Sequence, residues 1–390
     1  MFNERGVLFW PVGTGDSTTF VIKEDEVMFQ VDLRSTTQAE DDESDQAPIV
    51  DRLVEHLPQR GDMPYLSGFA LTHPDEDHIL GFSDLLEQVT IGELWFTPRV
   101  FREHDDDDTS MCDDAQAFRD EAHRRVEAAI KAGGDPGDGN RVRLIGYDTL
   151  LEEDQYKDFP SEFFSIPGNT VTELDGEDLS DDFRVFIHGP FKKDEIVGDR
   201  NDTSLVMQVV LGADPEEGGV LLFGDHKYPT IREILDITTK NNNEENLKWQ
   251  ILLAPHHCSK SVMYQTEDEK EVLKQDILDD LDRLQVGDGV IVASSLSVPS
   301  TNKSGDNPPH AKAKDRYSEI AGGGFVCTHD DGDSAEALLF VLDGANLVQH
   351  DADSAQEQSD TASKSALLVG VKDSRGSDDV PQDKLGFGSD

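Results

Sequence analysis

Three short apolar segments of this 390-residue chain end in side chains that can bind metal ions. The first is followed by His-Pro-Asp-Glu-Asp-His at positions 73–78, the second by Gly-Asp at 224–225, and the third by Pro-His-His at 255–257. A short apolar run bounded by turn residues is typical of a buried strand. Polar groups that follow such strands meet where the strands end at one edge of a sheet. The pattern therefore favours a fold in which these three strand ends lie close together at one edge of a sheet.

The candidate ligands are imidazoles and carboxylates, the groups that hold zinc, manganese or iron in proteins. They are His73, Asp75, Asp77, His78, Asp225, His256 and His257. The alternative is that segment 73–78 is a solvated acidic loop, because acidic loops are common in this chain. The two histidines that flank the acids, and the apolar strand before them, favour the metal site. The residues alone leave open which of His256 and His257 is the ligand.

The order of apolar and amphipathic segments predicts one α/β domain over residues 1–349. Within it, residues 99–180 are interpreted as an insertion, with a helix predicted over Asp113–Ala132 that ends at two glycines. Further along the chain, Glu267–Asp282 is predicted to be mostly helical. Residues 350–390 are rich in Asp, Ser, Gln and Gly and poor in large apolar side chains, so this acidic tail is predicted to be disordered.

Several motifs occur in an order that resembles a known superfamily. They are Val12–Ser17, Val31-Asp32, Thr72–His78 followed by Gly81, Asn201–Val206, Leu222–Asp225 and Pro255–Ser259. Together they resemble the metallo-β-lactamase superfamily, and within it the soluble hydrolase domain of the ComEC DNA-internalisation competence family. The resemblance spans about residues 7–344. It implies an αββα sandwich with a metal site at the edge of its sheets.

The resemblance also implies roles for individual residues. The segment 73–78 matches the histidine-aspartate ligand motif, and Asp225 matches a carboxylate that bridges two ions. His257 is preferred to His256 because His-x-Ser is the more usual frame in related hydrolases. Asp32 matches an acid that supports the site without binding metal. Asn201 stands nearest to the position where the broader superfamily has a further histidine ligand.

The implied cofactor is one or two divalent metal ions, zinc or manganese, and oxygen ligands shift the preference towards manganese. The implied reaction is hydrolysis by a metal-activated water, with Asp75 or Asp77 orienting that water or accepting its proton. By resemblance the substrate is a phosphodiester, in DNA or another nucleotide, and a separately encoded protein partner is compatible with it. Candidate substrate-binding residues are Ser259, Lys260, Asn302 and His310.

Two other functions stay open at this point. One is hydrolysis of a small ester, lactone or thioester at the same site. The other is a non-catalytic metal-binding interaction module that retains the fold. Retention of Asp77, His78, Asp225 and His257 argues against the second alternative.

The charge of the chain excludes other classes of function. It carries 82 acidic and 34 basic side chains, a formal net charge of −48. No broad basic surface for nucleic acid is expected, so any polyanionic substrate depends on the metal and a small basic rim. That predicted rim consists of Lys260, Lys303, Lys312, Lys314 and Arg316. The absence of a long apolar run and of a signal-peptide pattern predicts a cytoplasmic protein without membrane insertion.

Acidic residues dispersed at this density repel one another in dilute salt, and molar salt screens that repulsion. The composition therefore predicts adaptation to a salt-filled cytoplasm, as in halophilic archaea. We expect the melting temperature to rise as KCl is raised from low to molar concentration, measured by circular dichroism. A melting temperature that falls steadily over the same range would contradict this prediction, and would favour an acidic protein with a cationic partner.

Overall fold

The computed structural model describes residues 3–41, 44–102, 111–191, 203–302, 308–330 and 335–350. Its strands are β1 (Gly6–Phe9), β2 (Thr18–Lys23), β3 (Val27–Val31), β4 (Gln59–Arg60), β5 (Met63–Ala70), β6 (Thr90–Phe96), β7 (Arg141–Ile145), β8 (Phe164–Ser165), β9 (Thr170–Val171), β10 (Glu173–Leu174), β11 (Glu177–Asp178), β12 (Arg184–Gly189), β13 (Val206–Val210), β14 (Gly219–Leu222), β15 (Trp249–Leu253), β16 (Tyr264–Glu267), β17 (Lys270–Leu273), β18 (Gln285–Ala293), β19 (Gly324–Cys327), β20 (Leu338–Asp343) and β21 (Asn346–His350).

The α-helices of the same residues are α1 (Ile49–His56), α2 (Glu76–Ile79), α3 (Phe82–Gln88), α4 (Arg99–Arg102), α5 (Asp113–Ala132), α6 (Tyr228–Lys240), α7 (Pro255–Cys258), α8 (Gln275–Leu284) and α9 (Ala311–Ile320). Short 3-10 turns lie at Thr37–Glu40, Leu150–Glu152, Asp154–Tyr156, Ser161–Phe163, Glu244–Leu247 and Lys260–Val262. Among these described helices none is both long and apolar enough to cross a bilayer.

The strands form two large sheets. The first has the order β21-β20-β1-β2-β3-β5-β6-β7-β8, with β4 paired to β5, and the second has the order β19-β18-β15-β14-β13-β12-β9. In the first sheet β3, β5, β6, β7 and β8 run parallel, and in the second β14, β15, β18 and β19 do. Two hairpins, β10-β11 and β16-β17, lie outside these sheets.

Three apolar layers show how the sheets and helices stack. One cluster joins helices α1, α3 and α5 to the first sheet through residues such as Phe69, Phe82 and Phe118. A second contains side chains of both sheets, and a third joins the second sheet to α6, α8 and α9. Alternation decides which layer a strand residue enters: Leu222 lies in the second cluster and its neighbour Leu221 in the third. The predicted αββα architecture is confirmed.

The structure corrects one predicted helix. Residues 264–273 form the hairpin β16-β17, and helix α8 begins only at Gln275, whereas Glu267–Asp282 was predicted to be mostly helical. The reason is the two-residue turn between these strands, where Asp268 and Glu269 both have positive φ angles of 48° and 63°. Two such residues suit a tight hairpin turn, but their composition resembles that of an acidic helix.

Residues 99–180, interpreted as an insertion, are built into both sheets. They contain the predicted helix α5 with the bounds expected, the strands β7 and β8 of the first sheet, and β9 of the second. The tail from 351 to 390 lies outside the described residues, so its predicted disorder stays a prediction. Residues Met1–Gln349 form one compact unit, and the single domain over 1–349 stays a prediction.

A buried ion pair links two parallel strands of the first sheet. The Nε atom of Arg143 on β7 lies 3.0 Å from Oε1 of Glu93 on β6, and both side chains are almost fully buried. The second oxygen of Glu93 accepts a hydrogen bond from the backbone N–H of Asp175 at 2.7 Å. Although burial raises the pKa of Glu93, its two partners are what make a buried carboxylate tolerable here.

We expect Glu93→Ala to lower the free energy of unfolding by about 3–5 kcal/mol, because it leaves the guanidinium of Arg143 buried without its partner. Urea unfolding measures this loss. The matched control is Asp236→Ala, which removes the exposed partner of Arg232 on α6 and costs about 1 kcal/mol or less. Equal losses of unfolding free energy in the two variants would show that the buried pair of Glu93 and Arg143 contributes no more than an exposed one.

Candidate metal centre

The three strand ends singled out in the sequence meet at one edge of the two sheets. Segment 72–78 follows β5 of the first sheet, and segments 223–226 and 254–258 follow the parallel strands β14 and β15 of the second. A backbone hydrogen bond from Leu205 N–H to the carbonyl of Thr72, at 2.9 Å, ties the two sheets together there. The carboxyl ends of parallel strands are where α/β folds commonly place their sites.

Four buried side chains form the centre of this edge. Asp16, His78, Asp225 and His257 each offer one ligand atom, and these atoms all lie within 4.8 Å of one another. Three of them are candidates from the sequence. Asp16 was not, because it appears in the sequence only within the motif Val12–Ser17.

The Oδ1 atom of Asp225 faces the first set of donor atoms. Nε2 of His78 and Nε2 of His257 each lie 3.4 Å from it, and Oδ2 of Asp77 lies 3.3 Å from Nε2 of His257. We call Asp225 Oδ1 with these three donors the Oδ1 group. It contains two imidazole nitrogens and two carboxylate oxygens, which are typical zinc donors.

The Oδ2 atom of Asp225 faces a second set. Nε2 of His73 lies 3.9 Å from it and Nε2 of His256 lies 3.7 Å from it, while Oδ2 of Asp75 is 3.8 Å from Nε2 of His73. We call Asp225 Oδ2 with these three donors the Oδ2 group. The carboxylate of Asp225 therefore lies between two donor groups, and the two adjacent histidines lie on different sides of it.

The backbone of residues 256–258 explains this divergence. His256, His257 and Cys258 all have positive φ angles, of 52°, 52° and 65°. The two histidine rings lie 6.1 Å apart with an angle of 83° between their planes. The left-handed region costs a non-glycine residue about 1–2 kcal/mol, so this loop is strained, as backbone at functional sites often is.

Asp32 orients both histidines of segment 73–78. Its Oδ2 atom lies 2.8 Å from Nδ1 of His78 and also accepts a hydrogen bond from the hydroxyl of Thr72 at 2.7 Å. That hydroxyl in turn lies 3.0 Å from Nδ1 of His73. Engaging Nδ1 leaves each Nε2 to face Asp225. A carboxylate behind a ligating histidine is a common support in metal sites, and the supporting role of Asp32 stays a prediction.

His257 is supported from the loop between β1 and β2 and from the end of β18. Its Nδ1 atom lies 3.2 Å from the carbonyl of Ser294 and 3.4 Å from Oδ1 of Asp16. The backbone N–H of Asp16 donates to the carbonyl of Asp77 at 3.1 Å. Gly15 permits this approach, because a Cβ atom on it would lie 2.6 Å from that carbonyl oxygen.

These contacts shift the pKa values of the histidines at the site. Burial disfavours the imidazolium, but Asp225 and Asp32 outweigh it at His78 and raise its pKa well above the ordinary value. Asp225 and Asp16 do the same for the pKa of His257. Burial and the neighbouring charge of His78 lower the pKa of His73 well below its ordinary value. A metal ion at the site would displace the protons of His78 and His257.

The unsatisfied atoms of the site test whether a metal ion fits it. Nε2 of His73, Nε2 of His78, Nε2 of His257 and Oδ1 of Asp225 are all buried, and none has a hydrogen-bond partner among the described residues. Leaving such atoms unpaired costs free energy. Because all four point at one small region and are typical metal donors, the residues present fit a metal ion.

The four predicted substrate-binding residues lie around the loop that follows His257. Ser259 contacts Ser261, and the ammonium of Lys260 pairs with Glu271 at 2.7 Å. Asn302 accepts from Ala311 N–H, and Nδ1 of His310 accepts from Lys312 N–H, so both bind the first turn of α9. Asn201 lies outside the described residues.

The predicted basic rim is largely paired. Lys260 and Lys312 both contact the carboxylate of Glu271, and Arg316 pairs with Glu319. The ammonium of Lys314 lies over the ring of Phe325. Lys303 lies outside the described residues.

Comparisons with known proteins add a similarity to solved structures. No family model and no curated protein matches the sequence. Among solved structures, an archaeal metallo-β-lactamase superfamily protein from Sulfolobus tokodaii matches with 11% identity and a TM-score of 0.30. The match covers 82% of this chain and 98% of that chain. The αββα architecture is established here by the layers and topology described above.

We expect Asp32→Asn to weaken metal binding by about 10–100-fold, because it removes the charge that holds Nδ1 of His78. Asparagine tolerates the positive φ of 56° at this position. Calorimetric titration of the metal-free protein measures the affinity, and Asp236→Asn at an exposed position of α6 is the control. An affinity equal to that of the unmodified protein would show that Asp32 does not support the site.

Proposed function

We propose that this protein is a metal-dependent hydrolase of the metallo-β-lactamase type that cleaves phosphodiester bonds. The observation that carries the proposal is the position of Asp225, whose two oxygens face separate groups of imidazole and carboxylate donors. A divalent zinc or manganese ion bound there would lower the pKa of water and polarise the scissile bond. Residues of the Oδ1 group would hold that ion.

The open side of the site indicates where the substrate would approach. His73, His78, His257 and Asp225 are buried, whereas the side chains of Asp75, Asp77 and His256 are 22%, 37% and 20% exposed. Asp75 and Asp77 therefore border the opening, where either carboxylate can orient the attacking water. Burial favours the protonated acid, but the nearby imidazoles of His257 and His78 outweigh it and hold the pKa of Asp77 well below its ordinary value, so it stays ionised.

Two features support a phosphodiester as the substrate. The motif order resembles that of ComEC-type hydrolases, and two lysines, Lys260 and Lys312, converge on Glu271 beside the loop that carries His257. An anionic substrate can compete with Glu271 for these ammonium groups, which act as point charges towards phosphate. In a chain of net charge −48, such local cations are needed to offset the general repulsion of an anion.

The expected result is metal-dependent cleavage of bis(p-nitrophenyl) phosphate, measured in molar KCl with added Mn²⁺ or Zn²⁺. His78→Ala and Asp225→Ala should abolish it, because each removes a donor of the Oδ1 group. The matched control is His123→Ala at an exposed position of α5, which should leave turnover unchanged.

A parallel assay with p-nitrophenyl butyrate and a lactone separates the substrate classes. Turnover of the ester or lactone alone, lost in the same two variants, would replace the phosphodiester with a small carboxylic ester. No turnover of any substrate, together with no bound metal, would favour a non-catalytic module.

A further inference from the structure

Arg34 lies in a short segment that runs beside helix α2. Its neighbours Leu33 and Ser35 donate their backbone N–H groups to the carbonyls of His78 and Leu80, both at 2.8 Å. Alternate N–H groups bonded to one neighbouring segment are typical of an extended chain, in which successive side chains point to opposite sides. The side chain of Arg34 therefore points away from that of Leu33, which is buried in the first apolar cluster.

The side chain of Arg34 reaches the loop between β1 and β2. Its Nη1 group donates a hydrogen bond to the carbonyl of Val12. Its stem packs against Gly15, where an added Cβ atom would clash with Cδ of Arg34 and lie 2.6 Å from the carbonyl oxygen of Asp77. The side chain of Arg34 and the backbone of Asp77 therefore meet at Gly15.

This position borders the opening of the metal centre. The side chain of Asp77 is 37% exposed at that opening, and Arg34 is itself only half-buried. Burial lowers the pKa of the Arg34 guanidinium, and the nearby carboxylates of Asp77 and Glu76 oppose that shift. The guanidinium thus stays charged and lies beside the carboxylates of helix α2.

Arg34 differs from the basic rim predicted from the sequence. Lys260, Lys312 and Arg316 of that rim each pair with a carboxylate. Across the described ranges of the chain, Arg34 forms no ion pair, and its hydrogen bond to Val12 uses only part of its set of N–H donors. Its remaining N–H groups are available to a ligand, in a chain that has 82 acidic and 34 basic side chains.

We propose that Arg34 binds an anionic oxygen of the substrate at the opening of the metal centre, and that it makes the site prefer a phosphodiester anion to a neutral ester. This rests on the proposed function and adds a residue that is neither a metal ligand nor part of the predicted rim. A guanidinium presents a planar set of donors that matches phosphate oxygens. Because the side chain is already held against Gly15 and Val12, it loses little freedom on binding.

A purely structural role is the alternative, because Arg34 also contacts the loop that carries Asp16. Asp16 lies 3.4 Å from Nδ1 of His257, so a displaced loop would weaken metal binding and would affect every substrate equally. Binding of an anion by Arg34 instead predicts an effect that depends on the charge of the substrate. Substrates with the same leaving group and different charge therefore distinguish the two roles.

The kinetic test compares bis(p-nitrophenyl) phosphate, an anion, with diethyl p-nitrophenyl phosphate, a neutral triester, in molar KCl with Mn²⁺ or Zn²⁺. Arg34→Gln should lower kcat/KM for the diester by about 10–100-fold and change it for the triester by less than about 2-fold, because only the diester loses a charged hydrogen bond. Arg34→Lys keeps the charge without the planar donors and should recover part of the diester activity.

The matched control is Arg283→Gln, which removes one positive charge at a 48% exposed position of α8. Because it alters the net charge by the same amount as Arg34→Gln, it should leave the kinetics of both substrates unchanged. Equal losses of diester turnover in the two variants would show that net charge, rather than the position of Arg34, determines the effect.

Binding is measured separately with dimethyl phosphate, a phosphodiester without a good leaving group, by calorimetry on protein equilibrated with MnCl₂. Arg34→Gln should weaken this binding by about 10-fold or more, while its metal affinity and melting temperature stay those of the unmodified protein. Loss of metal affinity, or equal loss of diester and triester turnover, would overturn the proposal in favour of a structural role. Binding that is unchanged in Arg34→Gln, or absent from the unmodified protein, would overturn it as well.

The binding measurement needs no turnover, so it separates this inference from the proposed function. Dimethyl phosphate binding that depends on Arg34, together with no hydrolysis of any substrate, would leave the anion site standing and refute the activity. Diester turnover that is unaffected by Arg34→Gln would refute the inference and leave the activity standing.

Discussion

Burying a carboxylate costs several kcal/mol unless charged or polar partners surround it. Asp225 is only 4% exposed, and its partners come from strands of both sheets and from two loops. The histidines around it come from segments 73–78 and 256–257, which follow β5 and β15. The charge of this one carboxylate is therefore offset only when both sheets are correctly placed, because its histidine partners follow strands of different sheets.

A second feature of the site is the strained loop at residues 256–258. Three successive non-glycine residues in the left-handed region are unfavourable by themselves. The loop is held by hydrogen bonds from His256 N–H to the carbonyl of Gly224, and from His310 N–H to the carbonyl of Cys258. Cys258 has a positive φ, and its side chain is buried in the third apolar cluster. Packing here compensates for a locally unfavourable conformation.

Much of the candidate site could be predicted because its possible metal ligands lie directly after apolar strands. His73, His78, Asp225 and one or both of His256 and His257 were recognisable from residue type and position alone. Asp16 was missed because its role depends on a turn that folds back on segment 73–78, and turn residues are common for other reasons. Thr72 was missed as a support because a hydroxyl between Asp32 and His73 has no sequence signal. The hairpin at 264–273 was missed because its acidic turn resembles a helix.

By itself, the sequence determined the apolar strands, the donor side chains at their ends and the charge that surrounds them, since these depend on residue type and local spacing. It left His256 and His257 as alternatives, because adjacent residues share one position in a motif. Only the tertiary structure placed them on opposite oxygens of Asp225, since that depends on backbone angles stabilised by packing from distant segments.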